Sequence, residues 1–277
     1  MKTILVLTDF SGAAKNAAMY TCQLASLLGG KVLLVHAFPF PLPVTVKPIT
    51  EVQLEEAKKE RMKQLKILAH ELHESYPLLI KRRMIEGFLI EEVNKLVEQN
   101  EVDLVVMGLR KEGKLSRGIF GSVASFVIER STFPVLVIPE GVCFKIAENI
   151  VLATDFLNLE DPLHLKPVRE LAEIFNAEIK VLHVITKIHS LDTHFAIARL
   201  QMDRYFYPSP CSYHLEEGED ILESIEKFLD KERAGLVALI SHRHSFWEKL
   251  LRGTHTRKLL FETNIPLLVI HDPQKDR

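Results

Sequence analysis

The second half of this chain repeats the first, and this repeat constrains the fold more than any other feature. Residues 4–10 (ILVLTDF) match residues 150–156 (IVLATDF), and residues 134–138 (PVLVI) match residues 266–270 (PLLVI). Two weaker matches lie between them in the same order, residues 31–36 with 179–183 and residues 83–87 with 213–218. Four matches in one order are not expected by chance, so the sequence predicts two similar domains, over residues 1–141 and 147–277.

Composition narrows the class of protein. The 277 residues are 47% hydrophobic and 26% charged, which is typical of a globular chain with enough apolar material for a core. The net charge of −2 argues against a nucleic-acid partner. No apolar run is long enough to cross a bilayer, so we expect no membrane partner. The three cysteines are far apart and form no CxxC pair, which favours free thiols and a cytoplasmic location.

Short apolar strands alternate with helical patterns along the first half. The predicted strands are residues 4–7, 32–36, 80–85, 104–107 and 135–138. One predicted helix runs from Ser11 or Gly12 to Leu28, where two glycines stop it. This alternation predicts an α/β fold, with a parallel sheet covered by helices on both faces.

A long charged helix is predicted from Thr50 to about Ser75. Thr50 and Gln53 have the spacing of a capping box. We expect one apolar stripe of this helix to face the core, formed by Leu54, Ala57, Met62, Leu65 and Leu68.

The second half repeats the alternation with departures. A helix over residues 163–175 contains Pro167, so we expect its first turns to be irregular. Residues 221–229 form an amphipathic helix, and residues 237–240 and 267–270 are the last two strands. Residues 135–138 and 267–270 would be exposed apolar edge strands, which tend to pair. We therefore predict that the halves meet edge to edge about a pseudo-two-fold axis.

Candidate ligand-binding residues lie at the ends of several predicted strands. Thr8 and Asp9 follow the first strand, His36 and Ala37 end the second, and Met107 and Gly108 end the fourth. Ligands of open parallel sheets bind beyond the carboxyl ends of strands, where the strand order reverses, so a central first strand would bring these residues to one crevice. Asp9 could accept from a ribose hydroxyl or a base amino group, or help to hold a metal. The alternative, of equal weight, is that Asp9 and Ser11 serve only as caps of the next helix.

A basic loop joins Gly108 to a predicted helix that starts at Ser122. Gly108 and Gly121 would let the chain turn sharply and approach a ligand closely. The helix start favours an anion, and Ser122 could cap it and donate its hydroxyl. Arg110, Lys111, Lys114 and Arg117 add positive charge. A solvated basic loop would have the same composition.

The spacing in this loop is specific: Gly108, two residues, Lys111, nine residues, then Gly121 and Ser122. With Thr8-Asp9-Phe10-Ser11, it resembles the nucleotide-binding branch of the universal stress protein family. That branch has Gly, two residues, Gly, nine residues, Gly, then Ser or Thr. Lys111 replaces the middle glycine, and it could either crowd the phosphates or pair with them.

The resemblance covers nearly the whole chain and implies a tandem member. It implies two five-stranded parallel domains, Rossmann-like and similar to adenine nucleotide alpha hydrolases. Its implied ligand is ATP or a related adenine nucleotide, with or without magnesium, and its single-domain members dimerise edge to edge. The sequence does not decide whether the tandem chain also forms a homo-oligomer. The implied nucleotide-binding residues are Leu7, Thr8, Asp9, Ala37, Met107, Gly108, Lys111, Gly121, Ser122 and Val123.

The corresponding loop of the second half has lost both early glycines. Counted from Ser241, Gly253 arrives after 12 steps, whereas Gly108 to Gly121 takes 13. Phe246, Trp247, Leu250 and Leu251 have helical spacing, so we expect this loop to pack down over the crevice. We predict that this half does not bind ATP. His242 and His244, completed by His214 or His255, could bind a metal or could be surface histidines, and no metal site is assigned.

We expect a stress-response sensor or interaction module that binds an adenine nucleotide in its first half. No Ser-His-Asp set, HExxH or Walker loop is present, so no catalytic residue is assigned. One alternative is a slow nucleotide hydrolase, in which Asp9 holds metal or water and Lys111 stabilises charge. Another is an interaction scaffold that binds no nucleotide.

Overall fold

The structure is a computed structural model that describes residues 1–39, 50–110, 122–154, 162–185, 193–241 and 264–271. The ten strands in these ranges form one continuous sheet. The elements of the first half are β1 Thr3–Leu7, α1 Gly12–Leu28, β2 Lys31–Pro39, α2 Glu51–Ser75, β3 Ile80–Gly87, α3 Leu89–Asn100, β4 Leu104–Leu109, α4 Ser122–Arg130 and β5 Val135–Pro139. Those of the second half are β6 Asn149–Ala153, a 3₁₀ helix Pro162–Leu165, α5 Lys166–Phe175, β7 Glu178–Ile185, α6 Thr193–Phe206, β8 Cys211–Glu217, α7 Ile221–Lys231, β9 Leu236–Ser241 and β10 Leu267–His271.

The strand order is β3-β2-β1-β4-β5-β10-β9-β6-β7-β8. Within each half all pairs are parallel, and β1 lies between β2 and β4, as β6 lies between β7 and β9. The predicted α/β fold and the central first strand are therefore confirmed. The strand order reverses between β1 and β4, which places a ligand crevice at their carboxyl ends.

The two halves join through one antiparallel strand pair, as the apolar edges predict. Leu136 of β5 pairs with Leu268 of β10, while Val137 pairs with Leu267 and Val135 with Val269. The pairing is symmetric about Leu136 and Leu268, so the pseudo-two-fold axis passes between them. The predicted limits of the domains bracket the connection from β5 to β6, and their end residues remain a prediction.

Both faces of the sheet carry a core that contains residues of both halves. On the face covered by α1 and α5, Val6 and Leu34 belong to the same buried cluster as Val168 and Leu171. On the opposite face, covered by α3, α4 and α7, a second cluster extends from Leu5 to Ile225. The halves therefore share their cores as well as a strand pair.

The segment that connects the halves packs against both of them. Phe144 makes edge-to-face contacts with Tyr20 of α1, at 5.1 Å between ring centroids, and with Phe175 of α5, at 6.1 Å. Asn16 Nδ2 donates to the carbonyl of Val142 at 3.0 Å. The connection is thus part of the packed interface between the first and second halves.

The ends of the helices follow the predicted signals. Ser11 caps α1 by accepting from the N–H of Ala14 at 3.2 Å, and Gly29 ends it with φ 62°. Thr50 and Gln53 form the predicted capping box of α2. In the second half, the 3₁₀ helix precedes α5, and Pro167 lies in the first turn of α5, which confirms the expected irregular start.

The expected apolar stripe of α2 is wrong over the first half of the helix. Ala57 is exposed and Leu54 only half-buried, whereas the buried side chains begin at Leu65 and continue to Leu72. The 25 residues of α2 are about 37 Å long, but the 8 residues of β3 extend only about 26 Å. The first turns of α2 therefore project beyond the carboxyl ends of the strands. None of the helices in the described ranges is both long and apolar enough to cross a membrane.

Candidate functional site

A notch opens above the carboxyl end of β1, because both neighbouring strands are longer there. Leu7, the last residue of β1, pairs with Val35, and β2 runs on to Pro39. On the other side, Val6 pairs with Val106, and β4 runs on to Leu109. The residues predicted to bind a ligand surround this notch.

The turn that leaves β1 is fixed by its own polar side chains. Thr8 Oγ1 accepts from the N–H of Phe10 at 3.0 Å, and Asp9 Oδ1 accepts from the N–H of Ser11 at 2.9 Å. These bonds hold Phe10 at φ 65°, a conformation uncommon for a residue with a side chain. Ser11, rather than Asp9, is the cap of α1. Asp9 has one carboxylate oxygen in the turn, and the other lies 3.7 Å from Arg110 Nη2.

Asp9 is placed as an exposed, ionised acceptor. Its side chain is 64% exposed. Partial burial alone raises the pKa of Asp9, but hydrogen bonds from the hydroxyl and N–H of Ser11 and the charge of Arg110 outweigh this effect, so its pKa is lowered. The carboxylate can therefore accept from a ligand hydroxyl or amino group near neutral pH.

Backbone polar groups at the ends of β2 and β4 also face the notch. In a parallel sheet, successive residues direct their N–H and C=O groups to opposite neighbours. The N–H of Thr8 donates to the carbonyl of Val35, so Ala37, two residues further, faces the same side, where β1 has ended. The N–H of Val105 donates to Pro134, at the start of β5. Gly108 is three residues further, so by the same alternation its N–H and C=O groups are directed to the opposite side, into the notch.

Gly108 is required by helix packing. A Cβ at this position would lie 2.2 Å from the carbonyl oxygen of Ala13 and 2.8 Å from the backbone N of Ala14. The first turn of α1 therefore rests directly on β4. The expected sharp turn at Gly108 is wrong, because the residue lies inside β4. Its lack of a side chain brings the start of α1 to the edge of the notch.

The other predicted binding residues differ in what they can offer. Leu7 and Met107 are 8% and 5% exposed, so they can reach a ligand only through their backbone. Val123, on the first turn of α4, is 52% exposed. Ser122 begins α4 as predicted. Lys111 and Gly121 lie outside the described residues.

Three residues beside the notch were not among the implied nucleotide-binding residues, although His36 was expected at this crevice with Ala37. His36 Nδ1 donates to the carbonyl of Thr8 at 2.8 Å, and its ring lies 4.5 Å from that of Phe10 between centroids. The guanidinium carbon of Arg61, on α2, lies 5.9 Å from the centroid of the Phe10 ring. Burial is the largest influence and lowers the pKa of His36. The hydrogen bond to the Thr8 carbonyl opposes it, the charge of Arg61 lowers the pKa further, and Asp9 has a smaller raising effect. The sequence signal that could have identified His36 is its repetition in the second half as His183.

Comparison with known proteins assigns the family. Residues 1–139 match the universal stress protein family. A universal stress protein of Methanocaldococcus jannaschii is 31% identical over 143 residues, which cover 50% of this chain and 81% of that protein.

The chain belongs to the universal stress protein family.

Solved structures extend the likeness to the whole chain. A universal stress protein from Archaeoglobus fulgidus matches with a TM-score of 0.76 at 16% identity, covering 96% of this chain and 97% of that one. This match shows that the tandem fold is shared. A universal stress protein solved in complex with cAMP matches 50% of this chain and 98% of its own, at 20% identity and a TM-score of 0.38.

The second half of this universal stress protein keeps one detail of the first. His183 Nδ1 donates to the carbonyl of Thr154 at 2.9 Å, as His36 does to Thr8 at 2.8 Å. Thr154 also donates its N–H to Leu182. The duplicated sequence therefore gives the same geometry where β6 and β7 end.

The equivalent of Gly108 in the second half is Ile240. Ile4 pairs with Leu104, and Ile150 with Leu236, so the fifth residue of each strand is Gly108 in β4 and Ile240 in β9. The predicted count from Ser241 was therefore one residue out of register. Counted from Ile240, Gly253 arrives after 13 steps, as Gly121 does from Gly108.

Ile240 places a side chain where Gly108 leaves room for a helix. Its side chain is 2% exposed and is directed to the face where α1 lies in the first half. A helix turn cannot rest on Ile240 as it rests on Gly108. The predicted packing of residues 246–251 lies outside the described residues.

Two of the grooves lined by described residues lie away from the notch. One, of about 560 Å³, is lined by acidic side chains of β8 and α7. The other, of about 510 Å³, lies between α2 and the start of β3. Within the described ranges, no three histidine, cysteine or carboxylate side chains are grouped as metal ligands. His214 contacts Ser212 at 3.0 Å, and His242, His244 and His255 lie outside those ranges.

Proposed function

We propose that this universal stress protein binds an adenine nucleotide, ATP or a relative, in the notch above β1. The bound nucleotide changes the stability or the partner surface of the protein, which acts as a sensor or interaction module in the cytoplasm. The observation that carries the proposal is the convergence of Asp9, the backbone of Ala37 and the start of α1 on one open notch.

The chemistry of the notch suits a nucleotide. The Asp9 carboxylate can accept from ribose hydroxyls, and the backbone of Ala37 offers a donor and an acceptor to a base edge. Arg110, with a 68% exposed side chain, and the first turn of α1 favour the negative charge of phosphates. One member of the family is solved with cAMP, itself an adenine nucleotide.

The second half is proposed not to bind in this way. Ile240 stands where Gly108 stands in the first half, and its side chain occupies the face on which α1 rests there. We therefore propose one nucleotide per chain.

Binding without catalysis is favoured over slow hydrolysis. The charged group beside Asp9 is the guanidinium of Arg110, which stabilises phosphate charge, whereas an in-line attack needs a group to orient water. Release of phosphate from ATP, lost in Asp9→Ala, would establish the hydrolase instead.

Titration calorimetry with ATP, with and without magnesium, tests the proposal. We expect about one site per chain in the wild type and a loss of affinity of about tenfold in Asp9→Ala, because a charge-assisted hydrogen bond is removed. Asp155→Ala is the matched control, since Asp155 follows Thr154 in the second half as Asp9 follows Thr8. If the wild type gives no heat with any adenine nucleotide, both the nucleotide sensor and the hydrolase are contradicted, and the interaction scaffold is the remaining hypothesis.

A further inference from the structure

The projecting turns of α2 form a wall beside the notch. Those turns lie beyond the carboxyl ends of the strands, on the same side as Thr8 and Asp9. Lys58 fixes them to the end of β3 through an ion pair with Glu86, at 2.8 Å between Nζ and Oε2. Three residues further, Arg61 reaches the turn after β1 and covers the ring of Phe10.

The Phe10 ring links this wall to the floor of the notch. It packs on the imidazole of His36, which is 7% exposed, and the guanidinium of Arg61 lies over the ring. Thr8 and Asp9 accept from backbone N–H groups of the turn in which Phe10 has a positive φ, and this turn directs the ring to its place. Backbone strain that neighbouring side chains maintain in this way is often found where a ligand binds.

Arg61 presents its charge to the notch without a carboxylate partner among the described residues. Its Nη1 donates to the neutral amide oxygen of Gln64 at 2.9 Å, and its guanidinium carbon lies 5.9 Å from the centroid of the Phe10 ring. Arg110 lies on the opposite side of the turn, beside Asp9. A ligand in the notch would therefore have one guanidinium on the β2 side and another on the β4 side.

We propose that Arg61 binds the phosphate chain of the nucleotide and makes the notch selective for nucleotides with two or more phosphates. This inference rests on the proposed function. A guanidinium binds phosphate oxygens through two parallel hydrogen bonds, and a pair of guanidiniums suits a di- or triphosphate better than a single phosphate. Arg61 leaves the Phe10 ring to make these bonds, and the ring remains as an apolar surface beside the ligand.

The test is calorimetry with adenosine, AMP, ADP and ATP on the wild-type chain, Arg61→Gln, Arg61→Lys and Lys63→Gln. Lys63 is an exposed cation on the same helix and serves as the matched control. We expect Arg61→Gln to lower the affinity for ADP and ATP by about tenfold and the affinity for adenosine by less than about twofold. Arg61→Lys should fall between, because an ammonium keeps the charge but loses the paired geometry. Lys63→Gln should match the wild type.

Two results would overturn the inference while the proposed function stands. In one, Arg61→Gln binds ATP as tightly as the wild type does. In the other, adenosine and ATP lose affinity equally, which would mean that Arg61 only supports Phe10. If the wild type binds none of the four compounds, the proposed function fails, and the inference fails with it.

Discussion

At the scale of single residues, one position separates the two crevices. Gly108 and Ile240 are equivalent in the strand register, yet only the glycine allows a helix to begin directly above its strand. Packing density leaves no room for both a side chain and a helical backbone at such a point. The contact of α1 with the edge of the notch in the first half therefore depends on the absence of one Cβ.

Replacing Gly108 with alanine is expected to destabilise the protein. The added Cβ would lie 2.2 Å from the carbonyl oxygen of Ala13, so α1 or β4 must shift, at a cost of about 2–3 kcal/mol of unfolding free energy. Urea unfolding followed by circular dichroism measures this. Gly12→Ala is the control, because its Cβ would meet only the flexible Glu140 side chain, at 3.3 Å. Equal stability of the two variants would contradict the packing role.

The sequence predicted the positions of several candidate residues, while their binding roles stay predictions. Asp9, Ala37 and Gly108 do surround one notch, because the ends of strands are set by local patterns and their convergence follows from the parallel sheet. Phe10 and Arg61 were missed, since their contact joins residues that are far apart in the chain. The equivalence of Ile240 and Gly108 also needed coordinates, because the pairing between strands establishes it.

At the scale of elements, local and tertiary determinants separate clearly in α2. Its limits were predicted, since the capping box of Thr50 and Gln53 acts within one turn. Its burial was not, because the length of the strands beneath it decides which turns meet the core. The turns left over, around Lys58 and Arg61, became the wall of the notch.

The segment between the halves is expected to contribute to stability. Phe144→Ala removes two aromatic contacts, with Tyr20 and Phe175, and we expect a loss of about 2 kcal/mol. Chemical unfolding of the variant measures it. Ile146→Ala, in the same segment and 56% exposed, should change stability by no more than about 0.5 kcal/mol. If Phe144→Ala were as stable as Ile146→Ala, the segment would be a tether only.

At the scale of the whole molecule, the two halves should unfold together. They share the β5–β10 pair and both buried clusters, so opening one half exposes apolar surface of the other. Native-state hydrogen exchange, measured in increasing denaturant, is expected to give β1 and β6 the same opening free energy. Separate values for the two strands, each with its own urea transition, would show independent domains.

The strand pair at Leu136 and Leu268 joins two parts of one polypeptide, and this has a consequence for how such a protein changes over time. In a symmetric dimer of identical chains, every substitution is made twice, so a change that closes one ligand site closes both. Here the partner is covalently attached and separately encoded. Ile240 could therefore arise on one side of the axis while Gly108 stayed on the other. Either half can therefore change its crevice independently, while the shared sheet keeps both halves folded.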